Sequence, residues 1–400
     1  MVSGCVVVVH APVMVMHEMD VPLCMVGTST RRAVLRAGVG GLVASLAGCT
    51  GTLGDALSRP SGDAPDPDAD GDGATGAVDD GVDHPTTGFP LRDRPLVVED
   101  DHATLREFVL DAGVPKDGIP SIDDPVFVRA DEVGRDVLPG DPVFGVELNG
   151  DARAYPQSIL VWHEIVNDVV GDVPVSVTYC PLTGSALGFY RGENTFGTTG
   201  NLLNSNLVMY DRDTDSRWPQ LLGTAIEGEH EGDSLRGFRV TWTTYDAWTT
   251  AHPDTLVLTD DTGFVRDYDR DPYGTYNPKA GYYATQGQLY DPLRDPGRRP
   301  PKLVFVAART PTGSFAASKP LLREDHVVEG TAGDVPVVAV HDPDLDTGYV
   351  YRRGDATVEP ADADGTYRVD DADLAPANAL ALDRLTSFDV MWFAWNAFYP

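Results

Sequence analysis

The stretch ARAYPQSILVWHEIVNDVVGDVPVSVTYCPLTGSALGFY, residues 152–190, decides the fold of this chain. It contains short Val-rich runs that are closed by Asp, Gly or Pro, a pattern typical of β-strands separated by tight turns. Just before it, VFGVELNGDARAYP places Asn149-Gly150 between two apolar runs, which is a strong signal for a β-hairpin. The stretch therefore predicts short antiparallel strands.

The same pattern of short Val-rich runs continues to the C-terminus, for example in KLVFVAAR and VPVVAVHD. HATLREFVLDAG and TTYDAWTTAHP have helical apolar spacing, whereas SILVWHEIVNDVV fits either a helix or a strand. We find no internal repeat of fixed period. We therefore predict a mainly β fold of the β-rich α+β class, in which residues 91–400 form one large domain of short antiparallel strands with a few short helices.

The composition is strongly acidic. The chain has 400 residues and a formal net charge of -32, with only 13 Glu among its 62 acidic residues and only 4 Lys among its 30 basic ones. Short hydrated carboxylates keep a protein solvated in concentrated salt, where charge repulsion is screened. The composition therefore indicates a halophilic protein, and it excludes unaided binding to nucleic acid, which needs basic surface.

The N-terminal stretch STRRAVLRAGVGGLVASLAGC, residues 29–49, joins Arg31-Arg32 to a short apolar run and ends in Leu-Ala-Gly-Cys at Cys49. It resembles a twin-arginine signal peptide with a lipobox. The resemblance implies export in the folded state, lipidation of Cys49 and anchoring to the outer face of the cell membrane. Residues 25–49 would be the signal peptide, and residues 1–24 an extension upstream of the true start.

Residues 50–90 are rich in Asp, Gly, Pro and Ala and poor in large apolar groups, so we predict a disordered acidic linker. The cysteines are then quickly assigned. Cys5 and Cys24 precede the mature protein and Cys49 would carry lipid, which leaves Cys180 as a free thiol. No intramolecular disulfide is expected.

Several enzyme classes lack support in the sequence. HEIVND begins like the zinc-protease motif H-E-x-x-H but has Asn167 in place of the second histidine. GDSL contains Ser234, yet no histidine follows an aspartate at the spacing that such hydrolases use, and G-x-S-x-G is absent. The chain contains neither a P-loop nor a dinucleotide-binding glycine motif.

Five segments carry a family resemblance: ARAYP, WHEIVND, VTYCPLTGS, NLLNSNLVMYDRDTDSRWPQLLG and FAWNAFYP. In this order, from about residue 120 to the C-terminus, they resemble the exported domain of unknown function 3179 family. The family pattern is similar to C-P-L-C-G, whereas this chain has Cys180 followed by Thr183 at the second cysteine position. A dithiol cycle needs a second sulfur within reach, so this chain cannot close a disulfide within the motif.

Single-thiol chemistry survives that substitution. Cys180, His163 and Glu164 form a candidate metal or thiol site, because thiolate and imidazole ligands favour copper, zinc or iron over calcium and magnesium. Asp168 and Thr183 are candidates for orienting those groups. The plainer alternative is that Cys180 is a small buried apolar residue and His163 a hydrogen-bonded core residue.

The sequence therefore predicts an exported, lipid-anchored protein whose metal or thiol site serves extracytoplasmic redox chemistry or metal handling. The alternative is a non-catalytic cell-surface module that binds a partner through Tyr- and Asn-rich loops. A third interpretation, a hydrolase or lyase, would use Glu164 or Asp168 as general acid or base. Whether the chain is an enzyme stays open at this point.

Overall fold

The structure, a computed structural model, describes residues 84–133, 137–361 and 364–400. The predicted signal peptide, Arg31, Arg32, the lipidation site Cys49 and residues 50–83 of the predicted linker lie outside these residues. Residues 84–90 were also assigned to the linker, yet the ring of Phe89 packs against Trp218 at 5.6 Å between ring centroids. Packing against the domain therefore begins before residue 91.

The described residues open with a short helix and then form a series of hairpins. In chain order these elements are α1 (His102–Glu107), β1 (Leu110–Asp111), β2 (Phe127–Arg129), a 3-10 turn (Ala130–Glu132), β3 (Pro142–Leu148), β4 (Asp151–Pro156), α2 (Gln157–His163), β5 (Ile165–Val170), β6 (Val173–Cys180) and β7 (Ser185–Tyr190). The middle of the chain adds β8 (Phe196–Leu203), β9 (Asn206–Asp211), β10 (Arg217–Pro219), β11 (Gly237–Phe238), β12 (Thr241–Thr244), α3 (Tyr245–Ala251), β13 (Leu256–Leu258), β14 (Gly274–Tyr276), β15 (Lys279–Gly281) and a second 3-10 turn (Tyr282–Ala284).

The C-terminal part repeats this succession of hairpins around two further helices. Its elements are β16 (Val304–Arg309), β17 (Ser314–Ser318), α4 (Lys319–Asp325), β18 (Val327–Ala332), β19 (Val335–Asp342), β20 (Thr347–Arg352), β21 (Val358–Pro360), β22 (Thr366–Val369), β23 (Ala375–Pro376), β24 (Arg384–Leu385), β25 (Ser387–Met391) and α5 (Trp392–Phe398). None of the helices in the described ranges is long and apolar enough to cross a membrane.

The predicted mainly β class is confirmed. Paired strands in the described residues run antiparallel, except that β4 and β13 are parallel. The predicted hairpin joins β3 and β4 through Asn149 and Gly150, whose φ angles of 50° and 77° suit a tight primed turn. The ambiguous stretch SILVWHEIVNDVV contains both structures, because helix α2 ends at His163 and strand β5 begins at Ile165.

One supersecondary unit occurs twice in the domain. We call β3, β4, α2, β5, β6 and β7, with the later β11, β12 and α3, the first module. The second module comprises β16, β17, α4, β18, β19 and β20, with the later β24, β25 and α5. Strand order matches in both sheets of each module: β11-β7-β6-β5 corresponds to β24-β20-β19-β18, and β12-β3-β4 corresponds to β25-β16-β17.

The two modules agree residue by residue. Helices α2 and α4 begin at Gln157 and Lys319, which are 162 residues apart. The same separation relates both ends of β5, β6 and β7 to those of β18, β19 and β20. Residues 171–175 and 333–337 even share the sequence Gly-Asp-Val-Pro-Val. The expectation that the chain has no internal repeat is therefore corrected, since the fold is a duplication whose two sequences have diverged.

The largest apolar cluster joins the two modules. It brings Leu187 and Phe189 of β7 together with Phe305 of β16 and Phe388 of β25. Cys180 belongs to the same cluster, and the amide of Met391 donates to the Thr183 carbonyl at 2.9 Å. The turn between β6 and β7, which carries the cysteine motif, is thus held against the second module by burial of apolar surface.

The close approach of β3 and α3 makes a sharp test of this packing. A Cβ on Gly145 would lie 2.2 Å from the ring of Trp248, whereas a Cβ on Gly287 would meet no atom within 4 Å. We expect Gly145→Ala to lower the free energy of unfolding by about 1–3 kcal/mol through overpacking. Gly287→Ala should change it by less than about 0.5 kcal/mol. Urea denaturation of a fragment of residues 84–400 measures both, and equal effects would contradict this packing.

Candidate functional site

Glu164 occupies a strained backbone position at the centre of the first module. It follows the last residue of α2 with φ 58° and ψ -27°, and its amide donates to the Leu160 carbonyl at 2.7 Å. A left-handed conformation costs a non-glycine residue about 1–2 kcal/mol. The turn sends the chain directly into β5. The Tyr179 amide, on the neighbouring strand β6, donates to the Glu164 carbonyl at 2.7 Å. Glu164 therefore lies beside the cysteine motif.

The Glu164 side chain is buried as well, with 6% of the residue exposed. Burial alone raises the pKa of its carboxyl group to about 8, because no positive charge or hydrogen bond in the described part of the chain favours the ionised form. The carboxyl group is therefore mostly protonated at neutral pH. A buried acid whose pKa lies near the working pH is suited to giving and taking protons.

Cys180 ends strand β6 and is 1% exposed. Its thiol donates a long hydrogen bond of 3.6 Å to the Ser205 carbonyl. Burial, and secondly the negative charge of Glu164, raise the pKa of the thiol to about 11, although a hydrogen bond with Thr183 opposes the shift. The structure therefore brings Cys180 and Glu164, which come from two different motifs, within electrostatic reach of each other, and both are neutral near pH 7.

Two tyrosines of the segment that follows β13 lie near this pair. The pKa of Tyr273 is raised by burial and then by the charges of Glu164 and Cys180, and burial and Cys180 likewise raise the pKa of Tyr282. The Tyr282 hydroxyl donates to the Leu182 carbonyl at 2.7 Å. The sequence analysis missed both residues. The signal that could have found them is the run PYGTYNPKAGYYATQ, residues 272–286, which contains four tyrosines.

His163 makes its contacts elsewhere. Its Nδ1 donates to the Pro120 carbonyl at 2.7 Å, and its Nε2 lies 2.6 Å from the Tyr268 hydroxyl. Burial lowers the pKa of the imidazole, which favours the neutral ring. Both ring nitrogens are thus engaged away from the Cys180 thiol. Within the described ranges, no group of three or more His, Cys, Asp or Glu side chains is arranged to hold a metal ion.

Asp168 belongs to a separate cluster on β5. It accepts a hydrogen bond of 2.6 Å from the Tyr155 hydroxyl, and it lies 3.6 Å from the guanidinium group of Arg153. Burial raises the pKa of its carboxyl group, while both of these partners oppose the shift. These contacts tie β4 to β5 and leave Asp168 outside the surroundings of Cys180.

Thr183 belongs to a buried polar network beneath the cysteine motif. Its hydroxyl group lies 2.8 Å from the Ser185 hydroxyl and accepts a hydrogen bond of 3.1 Å from Asn206. Gln220 links Ser185 and Asn206, accepting from each at 2.9 Å. Because buried hydroxyl groups need such partners, a threonine is well accommodated at this position. Asn206 is itself fully buried.

The raised pKa of Glu164 predicts a dependence of stability on pH. The unfolded carboxyl group ionises near its ordinary value of 4.5, whereas the folded one keeps its proton up to about 8. The folded state therefore binds more protons between these values, and wild-type stability falls as the pH rises through this window. Glu164→Gln removes the ionisation, so it should be more stable than wild type by roughly 2–4 kcal/mol at pH 8.

The difference between the two proteins should shrink towards pH 4.5, where the unfolded carboxyl group is also largely protonated. Urea denaturation of residues 84–400 across the window measures it. Glu359→Gln, a change at an exposed residue of β21, is the matched control. A Glu164→Gln variant that tracks wild type at every pH would mean that the carboxyl group is solvated in the folded state.

The chain was compared with known proteins and families. No curated protein and no solved structure matches it. The sequence model of a protein family of unknown function, DUF3179, matches residues 116–400, which include both modules and the Glu164–Cys180 pair. The chain therefore belongs to the domain of unknown function 3179 family.

Proposed function

We propose that the domain works outside the cytoplasm through single-thiol chemistry at Cys180, with Glu164 as the proton acceptor of the thiol. The observation that carries this proposal is the convergence of two motif residues in one buried place, where the carboxyl group of Glu164 lacks a charged partner and acts electrostatically on the thiol. Neither residue is placed there by the shared scaffold, since the second module has His326 and Asp342 at the equivalent positions.

The chemistry of the pair follows from the two pKa values. A thiol whose pKa is about 11 contains little thiolate near neutral pH, so it reacts slowly unless a base takes its proton. The Glu164 carboxylate, which forms as the pH approaches 8, is the base at hand. The proton would pass from the sulfur to the carboxylate while the sulfur forms its bond to an electrophilic carbon, whose leaving group departs with the electron pair of the bond that breaks.

Access to the pair would require movement of the nearby tyrosines. The Tyr282 hydroxyl donates to the Leu182 carbonyl, within the cysteine motif, and Lys302 lies over the Tyr282 ring. A substrate that displaces the Tyr282 ring would reach Cys180 in a surrounding from which water is largely excluded. Such exclusion strengthens electrostatic interactions within a site.

Export and anchoring are the other half of this proposal. The paired Arg31-Arg32, the short apolar run and Leu-Ala-Gly-Cys ending at Cys49 support a twin-arginine lipoprotein signal, and the Asp-rich composition supports a saline environment. We propose that the mature chain is held at the outer face of the membrane by lipid on Cys49.

Alkylation of Cys180 in residues 84–400 tests the role of Glu164, because Cys180 is the only cysteine in that fragment. If Glu164 is the base, the rate with iodoacetamide rises through an inflection near pH 8, and Glu164→Gln removes the inflection and slows the reaction by at least about tenfold. If its charge merely raises the pKa of the thiol, the same variant reacts faster than wild type. A faster reaction would therefore refute the proposal.

Two controls make the alkylation rates interpretable. Glu359→Gln, at an exposed position, should react as wild type does. Labelling in denaturant should be equally fast in all variants, because the intrinsic thiol is then the same. If the inflection in the alkylation rate persists in Glu164→Gln, a group other than Glu164 is responsible for it.

A second candidate function is binding of a soft metal ion. It is favoured by the absence, among the described residues, of a cation beside the buried Cys180 and Glu164 side chains. Buried carboxylates and thiolates are normally paired with positive charge or coordinate a metal. Cys180 and Glu164 would each release a proton to copper, zinc or iron, and His163 could join only by giving up its bond to Tyr268.

Elemental analysis of purified residues 84–400 decides between the two candidates. Metal binding at the site predicts about one equivalent of copper, zinc or iron per chain, lost in both Cys180→Ala and Glu164→Gln. Glu359→Gln, a change at an exposed residue of β21, should keep the metal. Metal content that survives Cys180→Ala would place any ion elsewhere and leave single-thiol chemistry as the interpretation.

A further inference from the structure

A groove that contains four arginines lies on the side of the second module, away from the residues of the thiol site. We call it the arginine groove; it has a volume of about 590 Å³. Part of its lining comes from the segment before α1 and from the residue immediately before β11. The rest comes from the β16–β17 and β18–β19 turns and from the end of β20. The residues are Leu91, Arg92, Asp93, Arg94, Arg236, Pro311, Thr312, Asp334, Val335 and Arg352.

The charge of the groove opposes that of the whole chain. Acidic residues outnumber basic ones by 62 to 30 in the sequence, yet the groove lining has four arginines and only two aspartates. Asp334 is already engaged, since it accepts a hydrogen bond from the Thr312 hydroxyl group. That bond lowers the pKa of the Asp334 carboxyl group first, and the nearby charges of Arg94 and Arg352 lower it further. Arg92, Arg94 and Arg352 alone outnumber the two aspartates, so positive charge is in excess without counting Arg236.

Arg92 is a partly buried member of the groove. Its backbone is fixed, because the amide donates to the Ser234 carbonyl at 2.8 Å. Burial lowers the pKa of its guanidinium group, and repulsion from Arg309, Arg236 and Arg352 lowers it further. Its Nε is buried and has no hydrogen-bond partner among the described residues. A buried donor without a partner is destabilising, and a ligand oxygen would relieve both this deficit and the repulsion.

The duplication provides an internal comparison for the groove. Arg352 occupies the position that Tyr190 has in the first module, at the same separation of 162 residues. The shared fold therefore does not require an arginine there. Arg92 and Arg94 lie in a segment that precedes both modules and precedes the family match at residues 116–400. The cluster is thus assembled from three separate parts of the chain.

We propose that the arginine groove binds a ligand with two or more oxyanion groups, such as phosphates. Guanidinium groups bind such groups through paired, charge-assisted hydrogen bonds, and several arginines that converge from separate segments suit more than one oxyanion. The volume lies within the range of about 300–1,000 Å³ that small-molecule sites occupy. The source of the phosphates is either a free soluble anion or the headgroup of an anionic lipid. This proposal is independent of the thiol site.

Calorimetric titration of the full chain with inorganic pyrophosphate tests the proposal. The titration is best made at about 1 M KCl, where the Debye length of about 3 Å removes diffuse attraction. We expect one pyrophosphate per chain, and binding weaker by about tenfold or more in both Arg92→Gln and Arg352→Gln. Arg129→Gln, at an exposed arginine of β2 outside the groove, is the control of equal charge change and should bind as wild type does.

Vesicles distinguish the two sources of phosphate. If pyrophosphate does not bind but vesicles of cardiolipin, whose headgroup carries two phosphates, do bind, in preference to phosphatidylcholine and with the same dependence on Arg92, the ligand is a lipid headgroup. Arg94→Gln, at an exposed position, keeps the test valid if Arg92→Gln fails to fold. The proposal is overturned if neither probe binds, or if Arg129→Gln weakens binding as much as the groove variants do.

Discussion

The left-handed turn at Glu164 is the constraint on which the first module depends. It ends α2, reverses the chain into β5 and leaves the Glu164 carbonyl to accept from the Tyr179 amide at 2.7 Å. That bond joins the end of the helix to the strand that carries Cys180. The second module makes the same turn at His326, with φ 62° and ψ -28°. Because neither residue is glycine, the packing on both sides of the turn must sustain its strain.

Comparison of the two modules separates scaffold from chemistry. Both keep the turn, the helix that precedes it and the strand register, although few side chains at equivalent positions agree. Cys180 corresponds to Asp342, and its neighbour Tyr179 corresponds to His341. A scaffold that tolerates an aspartate where the first module has a thiol does not need the thiol for its strand pairing. The residues that differ at the shared turn are therefore the ones free to carry a function.

The sequence predicted the class of fold and part of the site. Asn149-Gly150 located a hairpin because that dipeptide adopts the required positive φ angles by local preference. The duplication was not predicted, although Gly-Asp-Val-Pro-Val occurs twice. Many apolar side chains can fill the same buried positions, so two repeats can share a fold with little sequence identity. The separation of His163 from Glu164 was equally beyond local reasoning. The directions in which neighbouring side chains point at the end of a helix depend on the backbone turn there. Tertiary packing decides that turn.

Burial determines which polar interactions persist as the salt concentration rises. In concentrated salt the interactions between exposed charges are screened, so surface pairs such as Lys116 with Asp215 contribute little. Buried charges are screened far less. Lys319 and Asp389, 2.7 Å apart and both buried, remain coupled, as do the arginines around Arg92. Glu164 avoids an unpaired buried charge by keeping its proton. At high salt the strongest charge interactions of this protein are therefore those between buried groups. A ligand that changes the charge of one such group also changes stability.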